Sequence, residues 1–317
     1  MSNYTTEQGQ HYSGTEGNLQ VATVLIAGGT GLIGQRLKHT FENKGFKTLI
    51  LTRNPKSSAE VFWDPSAQQI ELEKLANVQF IINLCGENIG QARWTPIRKK
   101  ALIRSRVEPT LFLAKIAQKL PKLKHYIGAS GVNCYAADTG VIYHEEAPYG
   151  QDFLSVVVKQ WEEAHKVILK DTPGCILRIA MVLASEGGAL NSIKRPIELG
   201  FGSAIGTGKQ MCPWIHIDDL CNLIVFAVEK QLTGTFNALA ANHSNLEMTQ
   251  TIAKLLCKSL WAPSVPTFVL KLILGERAFL VLTDLKASNQ QIIQSGFSFS
   301  YPNLEQALKS LLMNRQH

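Results

Sequence analysis

Gly28, Gly31 and Gly34 recur at a G-x-x-G-x-x-G spacing within Val24-Leu25-Ile26-Ala27-Gly28-Gly29-Thr30-Gly31-Leu32-Ile33-Gly34. An apolar run precedes them and an amphipathic segment follows, so the stretch predicts a buried strand, a tight turn and a helix. Such a turn lets the backbone approach a pyrophosphate. The helix start adds free N–H groups and the positive end of its dipole. Gly28, Thr30, Gly31, Leu32, Ile33 and Gly34 are the candidate pyrophosphate contacts; a glycine-rich hairpin is the alternative. The second strand ends in Leu51-Thr52-Arg53-Asn54, with no carboxylate for a ribose 2′-hydroxyl. Thr52 and Arg53 stand instead where a 2′-phosphate would lie, which favours NADP (NADPH) over NAD. Arg53 as an ordinary surface arginine is the alternative.

Short apolar runs alternate with longer helical ones, as in an α/β fold with a doubly wound parallel sheet. Strands are expected over 21–27, 48–52, 61–64, 80–84, 125–130, 175–183 and 234–240. Helices are expected over 31–44, 96–120, 152–169 and 216–228. Residues 187–208 hold Gly187, Gly188, Gly200, Gly202, Gly206 and Gly208 and read mostly as loop, suited to substrate contacts. From 242 onward the pattern is mainly helical, broken at Pro263 and Pro266. This divides the chain into a polar, disordered tail (1–20), a Rossmann domain for the dinucleotide (21–185) and a smaller C-terminal substrate portion (186–317). Some elements of the last return to the first.

Composition narrows the function classes. The 32 Lys and Arg against 25 Asp and Glu leave a net charge of +7. The basic residues concentrate at Arg93, Arg98, Lys99, Lys100, Arg104 and Arg106. No nucleic-acid motif or aromatic platform accompanies them, so they read as a solvated helix face, touching at most an anionic cofactor. No apolar run approaches the roughly 20 residues that span a bilayer, and no membrane partner is expected. The run 220–228 reads as a core helix. Six dispersed cysteines without a C-x-x-C pair suggest reduced thiols, a cytoplasmic compartment and no metal site. Residues 1–20 lack both the basic and the apolar features of a leader.

Several segments together resemble the short-chain dehydrogenase/reductase superfamily, and within it an atypical epimerase-family branch with its own small C-terminal domain. They are Gly28–Gly34; Ile82-Asn83-Leu84-Cys85-Gly86-Glu87-Asn88-Ile89; Arg93-Trp94-Thr95 with Ser105-Arg106-Val107; Trp161-Glu162; Gly187-Gly188-Ala189-Leu190; Trp214-Ile215-His216-Ile217-Asp218-Asp219-Leu220; and Gly296-Phe297 with Tyr301-Pro302. The resemblance runs over 21–312 and implies an extended Rossmann fold that binds NADP, with the C-terminal part closing over a substrate. It places Asn83, Leu84, Cys85, Gly86 and Glu87 along the cofactor, adds Arg178 to that set, and ends the strand Gly128-Ala129-Ser130 beside the nicotinamide. Asn88, Arg93, Trp94 and His216 are the corresponding substrate candidates.

Members of the superfamily carry a Tyr four residues before a Lys on one helix face, with a Ser nearby. The Lys charge lowers the phenol pKa so that a proton passes as hydride moves. Ser130 fits the serine and Lys159 the lysine, but Ser155 stands in the tyrosine position, which puts the standard mechanism in doubt. Tyr135 is a substitute acid or a packing residue. His216 either reaches substrate or belongs to a strand-to-helix junction capped by Asp218 or Asp219. Two readings follow. One is an NADP-dependent oxidoreductase or epimerase-like enzyme acting on a carbonyl, alcohol or sugar-type small molecule, with a homodimer left open. The other is a non-catalytic NADP(H)-binding sensor or interaction protein.

Overall fold

A computed structural model describes residues 21–261 and 263–313; the expected tail at 1–20 lies outside them. The main sheet uses β1 (Thr23–Ala27), β2 (Lys47–Thr52), β3 (Glu60–Asp64), β4 (Gln69–Ile70), β5 (Val78–Asn83) and β6 (His125–Gly131). A short β7 (Ile142–Tyr143) lies outside it, and β8 (Gly174–Ile179), β9 (Met181–Leu183), β10 (Met211–His216) and β11 (Gly234–Ala238) follow. The order is β11-β8-β6-β5-β1-β2-β3-β4, parallel except for the β3–β4 pair. The order reverses at β1, which lies between β2 and β5. The crevice beyond the carboxyl ends of the strands at such a switch point is where these sheets bind ligands.

Helices cover both faces. On one lie α1 (Leu32–Asn43), α5 (Ile217–Glu229), α6 (Asn245–Leu255) and α10 (Leu304–Met313), burying Leu37 and Phe41 of α1 and nearly every apolar residue of α5 in one core. On the other, α2 (Pro96–Ala117) and α3 (Phe153–Leu169) enclose a second core with Leu25, Leu49 and Ile81. Each element starts for a local reason. Thr95 caps α2 by accepting from Arg98 N at 3.2 Å, with Pro96 at the first helical position. Asp152 caps α3 through Leu154 N and Ser155 N.

The C-terminal portion adds α4 (Gly188–Glu198), β12 (Ala241–Ser244), α7 (Thr267–Leu274), α8 (Phe279–Leu282), β13 (Lys286–Ala287) and α9 (Gln290–Gln294). Here the structure differs from the sequence reading. The expected strand 175–183 is two strands that break at Ala180: β8 stays in the main sheet, while β9 joins β12-β10-β9. Both halves are apolar, so nothing in the pattern marks the break. The glycine-rich stretch 187–208 holds a full helix, α4. Pro196 lies near its end, and its glycines fall at its start and in the loop beyond it. Two short strands interrupt the helical region after 240. The strand β11 and the helix α5 return to the main layers, so the two portions share one sheet.

Candidate functional site

The turn after β1 has the shape that a phosphate cradle needs. Gly28 sits at φ +80°, and a Cβ there would lie 2.8 Å from the Leu84 carbonyl carbon. A Cβ on Gly34 would lie 2.5 Å from Gly28 O, so only hydrogen lets α1 pack against the turn. Gly29, not singled out by spacing, is also crowded, though by a side chain and not by backbone: a Cβ would meet Ile50 at 2.5 Å. Gly31 N donates to Gly28 O at 3.1 Å and closes the turn. Gly31 also starts α1 without a side-chain cap or an acidic first turn, leaving the first-turn N–H groups of Leu32, Ile33 and Gly34 free of side-chain acceptors. Thr30 is exposed on the same turn. At the end of β2, Arg53 is exposed, and Thr52 Oγ1 accepts from Asn54 N at 3.3 Å. The cradle therefore fits a pyrophosphate, with a cation at the adjacent strand end.

The loop after β5 is held from beneath. The Asn83 side chain points inward, donating to Thr110 Oγ1 (2.8 Å) and Tyr126 OH (3.1 Å) and accepting from Cys85 N (3.0 Å). Its amide is spent on shaping the loop, and what it offers at the strand end is the backbone of Leu84 and Cys85. Burial pushes the Cys85 thiol up to about 12. Arg106 lies against Gly86, donates to Glu87 O at 3.0 Å and stacks over Trp161. Burial lowers this guanidinium to about 10. Arg106 is thus no part of a solvated basic face. Glu87 pairs with Arg98, which also donates to Asn88 O at 2.9 Å.

At the carboxyl ends of the next three strands, Ser130, Arg178 and Asn237 are direct cross-strand partners on β6, β8 and β11. Glu162 descends onto this row from α3. Arg178 grips it with Nε to Oε1 and Nη2 to Oε2, each at 2.9 Å. Ser130 Oγ donates to Oε1 at 2.5 Å and Tyr149 OH to Oε2 at 2.6 Å. Burial alone would raise the Glu162 carboxyl, but Arg178, Ser130 and Tyr149 together carry it below the usual carboxylate range. Arg178 also donates to Tyr135 OH (2.9 Å) and Glu145 O (2.7 Å). Tyr135 OH in turn donates to Asn237 Oδ1 at 2.7 Å, and its ring stacks on Tyr143.

The sequence candidates sort accordingly. Ser130, Tyr135 and Arg178 meet in one network. Tyr135 is buried in it, its phenol pushed up by burial. Arg178 spends every nitrogen on protein groups. Lys159 is exposed in the hollow that α3 shares with Val107 and Leu111 of α2, outside this network. Ser155 is buried and donates to Asp152 Oδ2 at 2.6 Å. Glu162 stood only within the Trp161-Glu162 family segment, with no role, and Tyr149 was not singled out. The usable signal was an acid on the apolar face of a predicted helix together with an arginine in an apolar strand, since neither is buried without the other.

A cleft of about 900 Å³ opens between these loops and the C-terminal portion. Trp94, Phe153, Phe279 and Leu282 give it an apolar wall, and Lys209, Lys271, Asp138 and Asp284 stand around it. Trp94 is fixed by its indole N–H donating to Ile89 O at 2.9 Å. Arg93 stands beside the cleft and donates to Ile273 O at 3.2 Å.

His216 is placed elsewhere. It is buried, and it is itself the cap of α5: Nδ1 accepts from Asp218 N at 3.0 Å, while Nε2 meets Ser310 Oγ at 3.1 Å. Neither Asp218 nor Asp219 is the cap. Asp218 instead pairs with Arg36 Nε at 2.6 Å, and Asp219 accepts Ser300 N and Tyr301 N at 2.8 and 2.9 Å. The Trp-Ile-His-Ile-Asp-Asp segment thus fastens the C-terminal segment to the Rossmann core, and His216 lines no part of the cleft.

Comparison with known proteins agrees with this geometry. Residues 24–238 match the NAD dependent epimerase/dehydratase family, and 265–311 match a domain of unknown function, DUF1731. The chain is 33% identical to the human epimerase family protein SDR39U1 over 296 residues, 91% of this chain and 99% of that protein. It is 34% identical over 303 residues to the epimerase family protein SAOUHSC_00792 of Staphylococcus aureus (strain NCTC 8325 / PS 47), again 91% of this chain and 98% of the relative. A crystal structure of human SDR39U1 with NADPH superposes with a TM-score of 0.84 at 31% identity, covering 92% of this chain and 99% of that one. The UDP-N-acetylglucosamine 4-epimerase of Bacillus cereus, 17% identical with a TM-score of 0.74, shares the fold. The chain belongs to the NAD dependent epimerase/dehydratase family.

Proposed function

We propose that the protein is an NADP(H)-dependent oxidoreductase or epimerase-like enzyme. Its substrate is a small carbonyl, alcohol or sugar-type molecule held in the cleft beside Trp94. The observation that carries the reading is the glycine cradle, in which Gly28 and Gly34 have no room for a Cβ and the first turn of α1 has no side-chain cap. Exposed Arg53 at the end of β2 favours NADP over NAD. The human relative crystallised with NADPH supports the same choice.

Bound cofactor supplies or accepts a hydride at its nicotinamide ring. The chain's own residues orient the substrate and manage a proton. Ser130 Oγ, whose own proton goes to Glu162, is the acceptor at the strand end for a substrate hydroxyl that reaches in from the cleft, which Ser130 does not itself line. Tyr149, half-buried and sharing Glu162 with Ser130, is the more accessible of the two phenols of this network, because Tyr135 is sealed between Arg178 and Asn237; like Ser130 it stands outside the lining of the cleft. Free thiols throughout the described residues support a reducing, cytoplasmic compartment. Half-exposed Leu111, Val156 and Val167 on the outer faces of α2 and α3 support a homodimer through that helix pair.

Cofactor fluorescence titration tests the reading. NADPH is expected to bind at least about tenfold tighter than NADH, one lost charge-assisted contact being worth about 1.5 kcal/mol or more, and Arg53→Ala is expected to erase the preference. Equal or tighter NADH binding would overturn it. In a carbonyl panel followed by NADPH oxidation, Ser130→Ala and Tyr149→Phe are expected to slow turnover by about 10²-fold or more. A second reading, a non-catalytic NADP(H)-binding module, is favoured by Ser155, bound to Asp152 where the superfamily tyrosine stands. Tight NADPH binding with no turnover across the panel would decide for it.

A further inference from the structure

The helix α7, Thr-Phe-Val-Leu-Lys-Leu-Ile-Leu, buries none of its residues. Phe268, Leu272 and Ile273 are 70, 77 and 58% exposed. Ile97, in the first turn of α2, is 82% exposed. The two helices are neighbours: Arg93 donates to Ile273 O, and Lys99 pairs with Glu276 just beyond α7. They form an apolar patch at the rim of the cleft, since Thr267, Lys271 and Gly275 also line it. Exposed large side chains collected at one place mark a docking surface.

The surrounding charge identifies the partner. Arg93, Lys100 and Lys271 have no ion-pair partner among the described residues. Lys100 lies one turn from Ile97 on the same helix face. Of the acids near this edge, Glu276 is matched by Lys99, and Asp138, Asp152 and Asp284, which line the cleft beside it, each accept backbone N–H groups. A second copy meeting this patch about a two-fold axis would bring both sets of these unpaired cations into one interface, because an isologous contact uses the same surface on both subunits. An anionic lipid surface supplies both what the patch lacks: negative headgroups for the rim and an apolar layer for Phe268, Leu272 and Ile273. We propose that α7 and the start of α2 dock the protein peripherally on an anionic bilayer, with the cleft beside the contact and not in it. No helix of the described residues is long and apolar enough to cross a membrane, so association is from one side only. The proposal is independent of the cofactor reading.

Sedimentation of the full chain with vesicles of phosphatidylcholine, with and without phosphatidylglycerol, tests it. Pelleting with the anionic vesicles is expected to exceed that with neutral ones by about tenfold and to fall at high salt. Phe268→Ser with Leu272→Ser, and separately Lys100→Glu with Lys271→Glu, should each abolish the excess. All four positions are surface sites, and unchanged thermal unfolding and NADPH binding would show that the variants fold. No pelleting, equal pelleting on neutral vesicles, or unaffected variants would overturn the proposal. So would a concentration-dependent dimer that Phe268→Ser with Leu272→Ser dissolves, which would assign the patch to a second copy.

Discussion

Ser130 and Arg178 are direct partners across β6 and β8, and both donate to the same oxygen of Glu162, at 2.5 and 2.9 Å. Two donors on one carboxylate oxygen fix the serine hydroxyl at the strand end. Glu162 and Arg178 are each almost fully buried, so neither tolerates losing the other. Arg178→Met is expected to destabilise by about 3–5 kcal/mol in urea unfolding, because it leaves a buried carboxylate unpaired. The double variant Glu162→Gln with Arg178→Met should lose less than the sum of the singles; strict additivity would show that the pair is not coupled.

Stability should fall as pH drops from about 6.5 towards 4. Burial lowers His165 and His216 to about 4, so over that window the unfolded chain takes protons that the folded chain refuses. The folded values lie below the unfolded ones, so this stability is complete above the unfolded pKa and is lost on acidification. For fully buried His165 the loss is on the order of 3 kcal/mol. Its ring links Tyr126 OH (2.6 Å) to Ala129 O (2.9 Å). Unfolding free energies at pH 7, 6 and 5 should show a shallower slope in His165→Gln than in the wild type.

His216→Ala should lower stability by about 1–2 kcal/mol through loss of the α5 cap while leaving NADPH affinity unchanged. A large loss of cofactor binding in a variant that unfolds normally would return His216 to the site.

Gly34→Ala is expected to weaken NADPH binding by more than about tenfold and to cost about 1–3 kcal/mol, because its methyl would strike the backbone of Gly28 and Gly29 at 2.5 Å. Gly45→Ala is the control, since nothing lies within 4 Å of its Cβ position; with φ at +81° it costs backbone strain alone and leaves binding intact.

The sheet was legible because its strands are continuous apolar runs and its first turn rests on Gly28 and Gly34, where backbone leaves no room for a Cβ. For His216 the sequence left substrate contact and a strand-to-helix junction open; the structure puts it in the junction, and the cap is its own Nδ1, serving a backbone N–H two residues on, rather than Asp218 or Asp219. Lys159 lies three residues before Glu162 on α3, yet it is exposed beside Val107 and Leu111 of α2 while Glu162 meets the strand ends, a difference in burial that spacing alone does not carry. The α4 helix was hidden by the glycines of its start and of the loop after it. The apolar face of α7 was hidden by length, since an eight-residue helix is far too short to read as a membrane element.

Only Ala180 separates the last residue of β8 from the first of β9, and its own N–H is tied to Ala238 O at 3.1 Å. The main sheet and the small sheet of the C-terminal portion are therefore joined there by one stretch of chain with no slack between them. A hinge cannot operate there. The opposite bank of the cleft is built from 263–285, and a change of ligand between relatives is expected to be written in that segment's sequence rather than in the angle between two halves.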